Sequence, residues 1–349
     1  MRQRLLAFGV AAAWVAVIVL AGCAKKAPPS GGPPDLEPPR LVSSAPESAA
    51  ARVPLDARPA LTFSEPMEPR STGEAIAIAP RIDIRQQKWS GRTVTLVLAE
   101  PLQAHRAYTL FVGGGARDRH GNPMRVGASV VFTTSDTLPP GVIEGAIVAK
   151  GFVGAGTYLW CYDAAQHEAP DSTARDFDAL GLADQDGKFR IVGLTVPGRY
   201  RIWAFADLNH NRSFEPNTDL LAPADTLIEL TRERPVLSDL SLTVVNPTAP
   251  GKVRGTVLDS LVVTVGTTQV LAVSERDSTQ RVVGDVNGQL EYELDLAPGA
   301  WFLRGFRDLD RNHSWQRTKE PAGPPVRVDV APASETQGVT LKVREDEGP

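Results

Sequence analysis

From Arg40 onward the chain alternates between apolar and polar positions. Short runs of Val, Ile, Leu, Thr and Tyr, apolar at every second residue, are closed by Gly, Pro, Asn or Asp. No window carries a sustained helical period. Period-two runs bounded by turn residues predict strands that bury one face. Their density predicts an all-β chain of tandem antiparallel β-sandwich (Ig-like) domains. The runs at 61–63, 75–78, 93–98, 108–112 and 129–134 make up a first domain at 40–135.

The second half repeats itself. Asp186-Gly187, Pro197-Gly198, Phe205, Asp207, Asn211 and Ser213 recur 101 residues later as Asn287-Gly288, Pro298-Gly299, Phe306, Asp308, Asn312 and Ser314. The opening strands at 142–147 and 252–257 correspond at a displacement of 110. The first copy therefore carries about nine additional residues, placed most economically in the polar stretch 163–180. Two further sandwiches follow, at 138–246 and 249–343, joined by Asn246-Pro-Thr-Ala-Pro250 and trailed by a polar tail at 344–349. The Asp-Gly and Asn-Gly pairs are expected to supply the left-handed positions of tight hairpins.

The first 39 residues follow different rules. Met1-Arg-Gln-Arg4 is basic, residues 5–20 are uncharged, and the run closes on Leu20-Ala-Gly-Cys23. Sixteen residues of helix reach about 24 Å, short of the roughly 30 Å hydrocarbon layer, so a signal peptide at 1–22 is expected rather than a retained span. Leu-Ala-Gly-Cys resembles the bacterial lipobox, which implies lipidation of Cys23. Ala24 stands where that family uses Asp for inner-membrane retention, so the resemblance implies an outer-membrane destination in a diderm cell. Stable anchoring takes two or more acyl chains. Residues 23–39, rich in Pro and Gly, read as a tether.

Composition narrows the chemistry. A formal net charge of −4 over 349 residues gives no basic surplus to neutralise a phosphate backbone, which argues against a nucleic-acid partner. The two cysteines, Cys23 and Cys161, form neither a disulfide framework nor a Cys-ligated zinc site. Cys161, on an apolar strand, reads as a buried inert thiol. No metalloprotease, nucleophile-elbow, Cys-x-x-Cys or phosphate-loop motif occurs. His105, His120, His167, His210 and His313 are scattered among polar loops. No catalytic residue is assigned. Glu65 and Asp118 read as a strand-end residue and an Asx-turn rather than an acid–base pair.

One constellation occurs twice. Asp207, Asn209, Asn211 and Asp219 match Asp308, Asp310, Asn312 and Glu320. Oxygen side chains at positions one, three and five with a later carboxylate suit a hard cation, so Ca2+ is the cofactor these loops would take. The other reading is an Asx-rich loop that hydrogen-bonds its own backbone.

Two stretches carry a family resemblance. Pro54, Leu61-Thr-Phe-Ser-Glu-Pro-Met67, Trp89-Ser-Gly91, Leu102, Tyr108, Asp118-Arg-His-Gly-Asn-Pro123 and Phe132-Thr-Thr134 resemble the SbsA-type bacterial Ig-like domain. The repeats, with their Gly-containing opening strand and Pro-Gly before an aromatic strand, resemble transthyretin-like or carboxypeptidase-regulatory-like sandwiches. Envelope lipoproteins combining the two are the family these resemblances imply. The expected function is a non-enzymatic, lipid-anchored envelope protein whose sandwiches support or dock onto a partner protein. The alternative is a polysaccharide- or peptidoglycan-binding lipoprotein, which needs exposed aromatics or a cleft. Trp203 corresponds to Arg304 between the repeats, so no shared platform is expected.

Overall fold

The computed structural model describes residues 35–166, 170, 176–209, 214–261 and 265–344. Cys23, Asn211, His167, His210 and part of the polar stretch 163–180 lie outside them. The chain is all-β, with one short helix among the described residues.

The alternation of the first domain becomes two sheets. One has the order β1(Leu41–Ala45), β2(Ala60–Phe63), β5(Thr93–Leu98), β4(Ile84–Ser90). The other is β3(Ile76–Ala79), β6(Ala107–Val112), β7(Ala128–Thr133). Leu61, Phe63, Val94 and Leu96 face Ile78, Leu110, Val112 and Phe132 across the core, with Met67 and Leu102 closing it from the loops. Burying each such side chain contributes about 1.5–3 kcal/mol. Tyr108 is buried, and its hydroxyl accepts the Gln103 amide at 2.7 Å. Helix α1(Pro69–Ala75) has no counterpart in the sequence reading, which placed a strand from Ala75. Seven residues are too few to show a helical period. Proline opens the helix, and the Glu68 carboxylate caps it by accepting the amides of Arg70 at 3.0 Å and Ser71 at 2.6 Å.

The two copies of the repeat share one strand order. In the first, β8(Gly141–Lys150) lies between β11(Lys188–Leu194) and β15(Val236–Val245). The facing sheet runs β10(Ala179–Leu182), β9(Tyr158–Asp163), β12(Gly198–Ala206), with β13(Leu220–Pro223) and β14(Ile228–Leu230) both paired to β12. In the second copy β16(Gly251–Asp259) lies between β19(Glu291–Leu296) and β22(Glu335–Val343). It faces β18(Arg281–Asp285), β17(Thr267–Ser274), β20(Gly299–Asp308) and β21(Val326–Val330). All strand pairings are antiparallel except β8 with β15 and β16 with β22, which are parallel. These pairs join strands near the two ends of each copy, and the intervening chain supplies the long crossover that a parallel pair requires.

The glycine of each opening strand sits where that parallel partner bulges. A Cβ on Gly145 would lie 2.0 Å from the Leu240 carbonyl oxygen, and one on Gly255 would lie 1.8 Å from that of Val339. The register shifts there in both copies, and the bulge residues Asp239 and Gly338 have φ of 65° and 76°. The aromatic residue after each Pro-Gly reaches back over its turn. Tyr200 donates its hydroxyl to the Thr195 carbonyl at 2.6 Å, and Trp301 donates its indole N–H to that of Ala297 at 2.8 Å.

The hairpins correct one expectation. Gly187 is left-handed at φ 78°, but in the second copy the left-handed residue is Leu290, at 63°, and not Gly288. The controlling residue is an Asx cap. Asp184 Oδ1 accepts the amides of Asp186 and Lys188, and Asn287 Oδ1 accepts those of Gln289 and Glu291. Asp184 therefore corresponds to Asn287, a local displacement different from that of the Pro-Gly turns. The first copy makes up the difference with a bulge at Gly193 and a longer turn before Pro197.

Candidate functional site

The acidic loops leave the ends of β12 and β20. In the second loop Asp308 and Glu320 are buried and Asp310 is exposed, and each offers an oxygen within 4.8 Å of the others. Their oxygens also bind the loop itself. Asp308 accepts the amides of Asn312 at 3.2 Å and His313 at 2.8 Å. Glu320 accepts those of Leu309 at 3.0 Å and Gln316 at 2.7 Å. Burial pushes the Asp308 carboxyl up, but the backbone amides of His313, Asn312 and Arg311 outweigh it and hold the group below its ordinary value. Asn312, the third expected ligand, turns its oxygen to the Ser314 amide at 2.8 Å and its Nδ2 to Asp310 at 3.0 Å.

The first loop repeats the frame. Asp219 accepts the amides of Leu208 at 3.1 Å and Glu215 at 2.9 Å, the positions 101 residues before Leu309 and Gln316. Asp207 and Asp219 are buried and Asn209 is exposed. A residue outside the expected set then enters. Asn209 Nδ2 donates to Glu215 Oε2 at 3.0 Å, while in the second loop Gln316 Nε2 donates to Asp310 Oδ2 at 2.8 Å. The same two positions touch, with donor and acceptor exchanged. What the copies keep is a hydrogen bond, together with the two-amide clamp by Asp219 or Glu320. The signal was present in the sequence as Asn209 with Glu215 against Asp310 with Gln316.

The first loop borders a cleft of about 780 Å³ against the Ig-like part of the chain, lined by Glu74, Arg117 and Arg125 on one side and Tyr158, Asp207 and Asn209 on the other. It carries both charge signs. Arg117 is already engaged, donating to the Gly121 carbonyl at 2.7 Å.

Other candidate residues do structural work. Asp118 is buried and closes an Asx-turn, accepting the amides of His120 at 2.7 Å and Asn122 at 2.8 Å and the Asn122 side chain at 2.8 Å. Burial raises its pKa, and the Asn122 side chain with the Asn122 and His120 amides brings it below the ordinary aspartate range. Cys161 is fully buried, and burial followed by the charges of Asp178 and Asp163 pushes its thiol well up, away from the reactive thiolate. His313 Nδ1 lies 2.6 Å from Gln269 Nε2.

Comparison with known proteins identifies one part of the chain. Residues 35–134 match the family described as bacterial Ig-like domain. No curated protein matches the chain. Among solved structures, the N-terminal part of the bacterial S-layer protein SbsC is 12% identical with a TM-score of 0.24, over 58% of this chain and 44% of that one. The chain thus spans under half of that structure. A candidate cell adhesion protein from Bacteroides uniformis is 12% identical with a TM-score of 0.30, over 59% of this chain and 93% of its own. The minor pilin GBS52 of Streptococcus agalactiae is 11% identical with a TM-score of 0.23, over 60% and 98%. The first folded segment of the chain is a bacterial Ig-like domain.

Proposed function

We propose that this chain is a non-enzymatic lipoprotein of the bacterial cell envelope, held on a membrane through acylated Cys23, whose β-sandwiches serve as structural or protein-docking modules. The carrying observation is the order of its parts: Leu20-Ala-Gly-Cys23, then a Pro- and Gly-rich tether, then a bacterial Ig-like domain. Ala24 in place of Asp favours the outer membrane. Among the described residues no helix is long and apolar enough to cross a membrane.

The tryptophans support protein docking over glycan binding. Trp89, Trp160, Trp203, Trp301 and Trp315 are all described and none is exposed. A sugar platform needs a free aromatic face. The acidic loops act in this reading as hydrogen-bonded turns. Cell fractionation tests the anchor: wild type should stay in the membrane pellet through high salt and leave it in detergent. Cys23→Ala should appear in the soluble fraction, and a variant still pelleting with membranes would overturn the reading.

A further inference from the structure

The two repeats share a topology but not an outer face, and the difference bears on how the molecule moves. In the first copy, the face of β9–β12 turned away from its own core is aromatic. Tyr158, Trp160 and Phe205 stack there, with ring centroids 5.7 Å apart for Tyr158 and Phe205 and 4.4 Å for Trp160 and Phe205. Ala79 and Phe111 of the Ig-like domain belong to the same buried cluster. Phe111 meets Tyr158 edge-on at 5.9 Å. Arg106, just before β6, pairs with the half-buried Asp178 at 3.2 Å. Gly127 and Gly193 let the two domains approach, since a Cβ at either would meet Leu182 at 3.0 Å or Ala107 at 3.2 Å across the boundary.

Strand pairing identifies the same positions in the second copy. Tyr158 pairs with Phe205, and Gln269 pairs with Phe306; Trp160 pairs with Trp203, and Leu271 pairs with Arg304. Leu182, beside Tyr158, becomes Asp285 beside Gln269. Tyr158, Trp203 and Leu182 have thus become Gln269, Arg304 and Asp285, while Trp160 and Phe205 have become Leu271 and Phe306, which stay buried. The polar residues make contacts on their own domain: Gln269, itself buried, donates to Asp285 at 2.9 Å, and Arg304 lies 4.1 Å over the Trp315 ring. The face that another domain covers in the first copy is covered in the second by side chains of its own loop, Trp315 and Ala322.

The junction between the repeats is correspondingly slight. Gly151 sits against Ala249 and Ala333, and Asn246 Nδ2 donates to the Gly151 carbonyl at 3.3 Å. No strand of 141–245 packs on a strand of 251–343 to the extent that β10 and β11 pack on β6 and β7. Interdomain surfaces that are small and polar leave relative motion as the default, while an apolar, interdigitated one removes it.

We propose that residues 40–245 form one stiff body and that residues 251–343 turn on it about the segment 246–250. In the anchored protein the Ig-like domain and first repeat are then a fixed stem, and the second repeat is the part that reorients. The stiffness is independent of the lipid anchor, so each can fail alone.

Pulsed dipolar spectroscopy on the full chain tests this. Nitroxides are placed on cysteines at exposed positions, with Cys23→Ser removing one native thiol and fully buried Cys161 taking no label. The pair Arg85→Cys and Ser241→Cys reports on the stem, and the pair Ser241→Cys and Thr340→Cys on the hinge. The first should give a single narrow distance distribution and the second a broad one. Tyr158→Gln with Leu182→Asp places second-copy residues, tolerated by the same sheet, on the first copy. That variant should lose the narrow peak of the stem pair and leave the hinge pair unchanged. A narrow hinge distribution, a broad stem distribution in the wild-type background, or a narrow stem peak surviving in the folded variant would each overturn the proposal. Should that variant not fold, the two wild-type distributions still decide.

Discussion

At the scale of single residues, the fold depends on a few positions where one atom decides. Gly255 has the Val339 carbonyl oxygen where a Cβ would sit, and Gly145 has that of Leu240. Gly255→Ala should therefore destabilise the second repeat by about 1–3 kcal/mol through overpacking at the bulge. Gly288→Ala, where an added Cβ meets nothing within 4 Å, should leave the urea midpoint almost unchanged. Equal midpoints for the two variants would contradict the close-approach account. Asp118 makes the fold pH-dependent. Its folded-state pKa is held below the ordinary aspartate value, so its stabilisation is fully present above about pH 4 and is lost as pH falls through the lower folded-state value. The melting temperature should drop over that acid range, and Asp118→Asn should be less stable at neutral pH with a shallower acid decline; an unchanged decline would assign it to other carboxyls. Of these residues, Gly145 and Gly255 were visible in the sequence as a shared strand glycine, but their reason was not, because a bulge in a strand some 90 residues away has no local signature.

At the scale of elements, the acidic loops are clamps. Glu320 holds the amides of Leu309 and Gln316, so Glu320→Ala leaves two partly buried donors without their acceptor and should cost about 1–3 kcal/mol. The same clamp predicts how the loops answer calcium. Because the loop carboxylates already bind their own amides, and the Asn209–Glu215 contact reappears with reversed polarity as Gln316–Asp310, the melting temperature should not move between chelator and millimolar Ca2+. A rise that Asp310→Asn abolishes would instead make the loops cation sites. The strands were legible from alternation, and the repeat from its recurring turns. Helix α1 was not, being only seven residues long. The second hairpin was misread because Asn-Gly is a strong left-handed signal, whereas here Asn287 caps the turn with its side chain and Leu290 takes the positive φ.

At the scale of the molecule, the chain combines a bacterial Ig-like domain with two copies of one sandwich topology, and the copies differ in what their outer faces meet. That difference was beyond the sequence reading, which compared Trp203 with Arg304 as a test of shared platforms; which face was covered depended on the Ig-like domain's own fold. The proposed role rests on where the molecule is held. The most direct measurement is therefore metabolic labelling with a clickable fatty-acid analogue. Wild-type protein should carry the label and Cys23→Ala should not. Label retained by Cys23→Ala, or absent from the wild type in a cell that labels its other lipoproteins, would contradict the lipid anchor on which the proposed function rests.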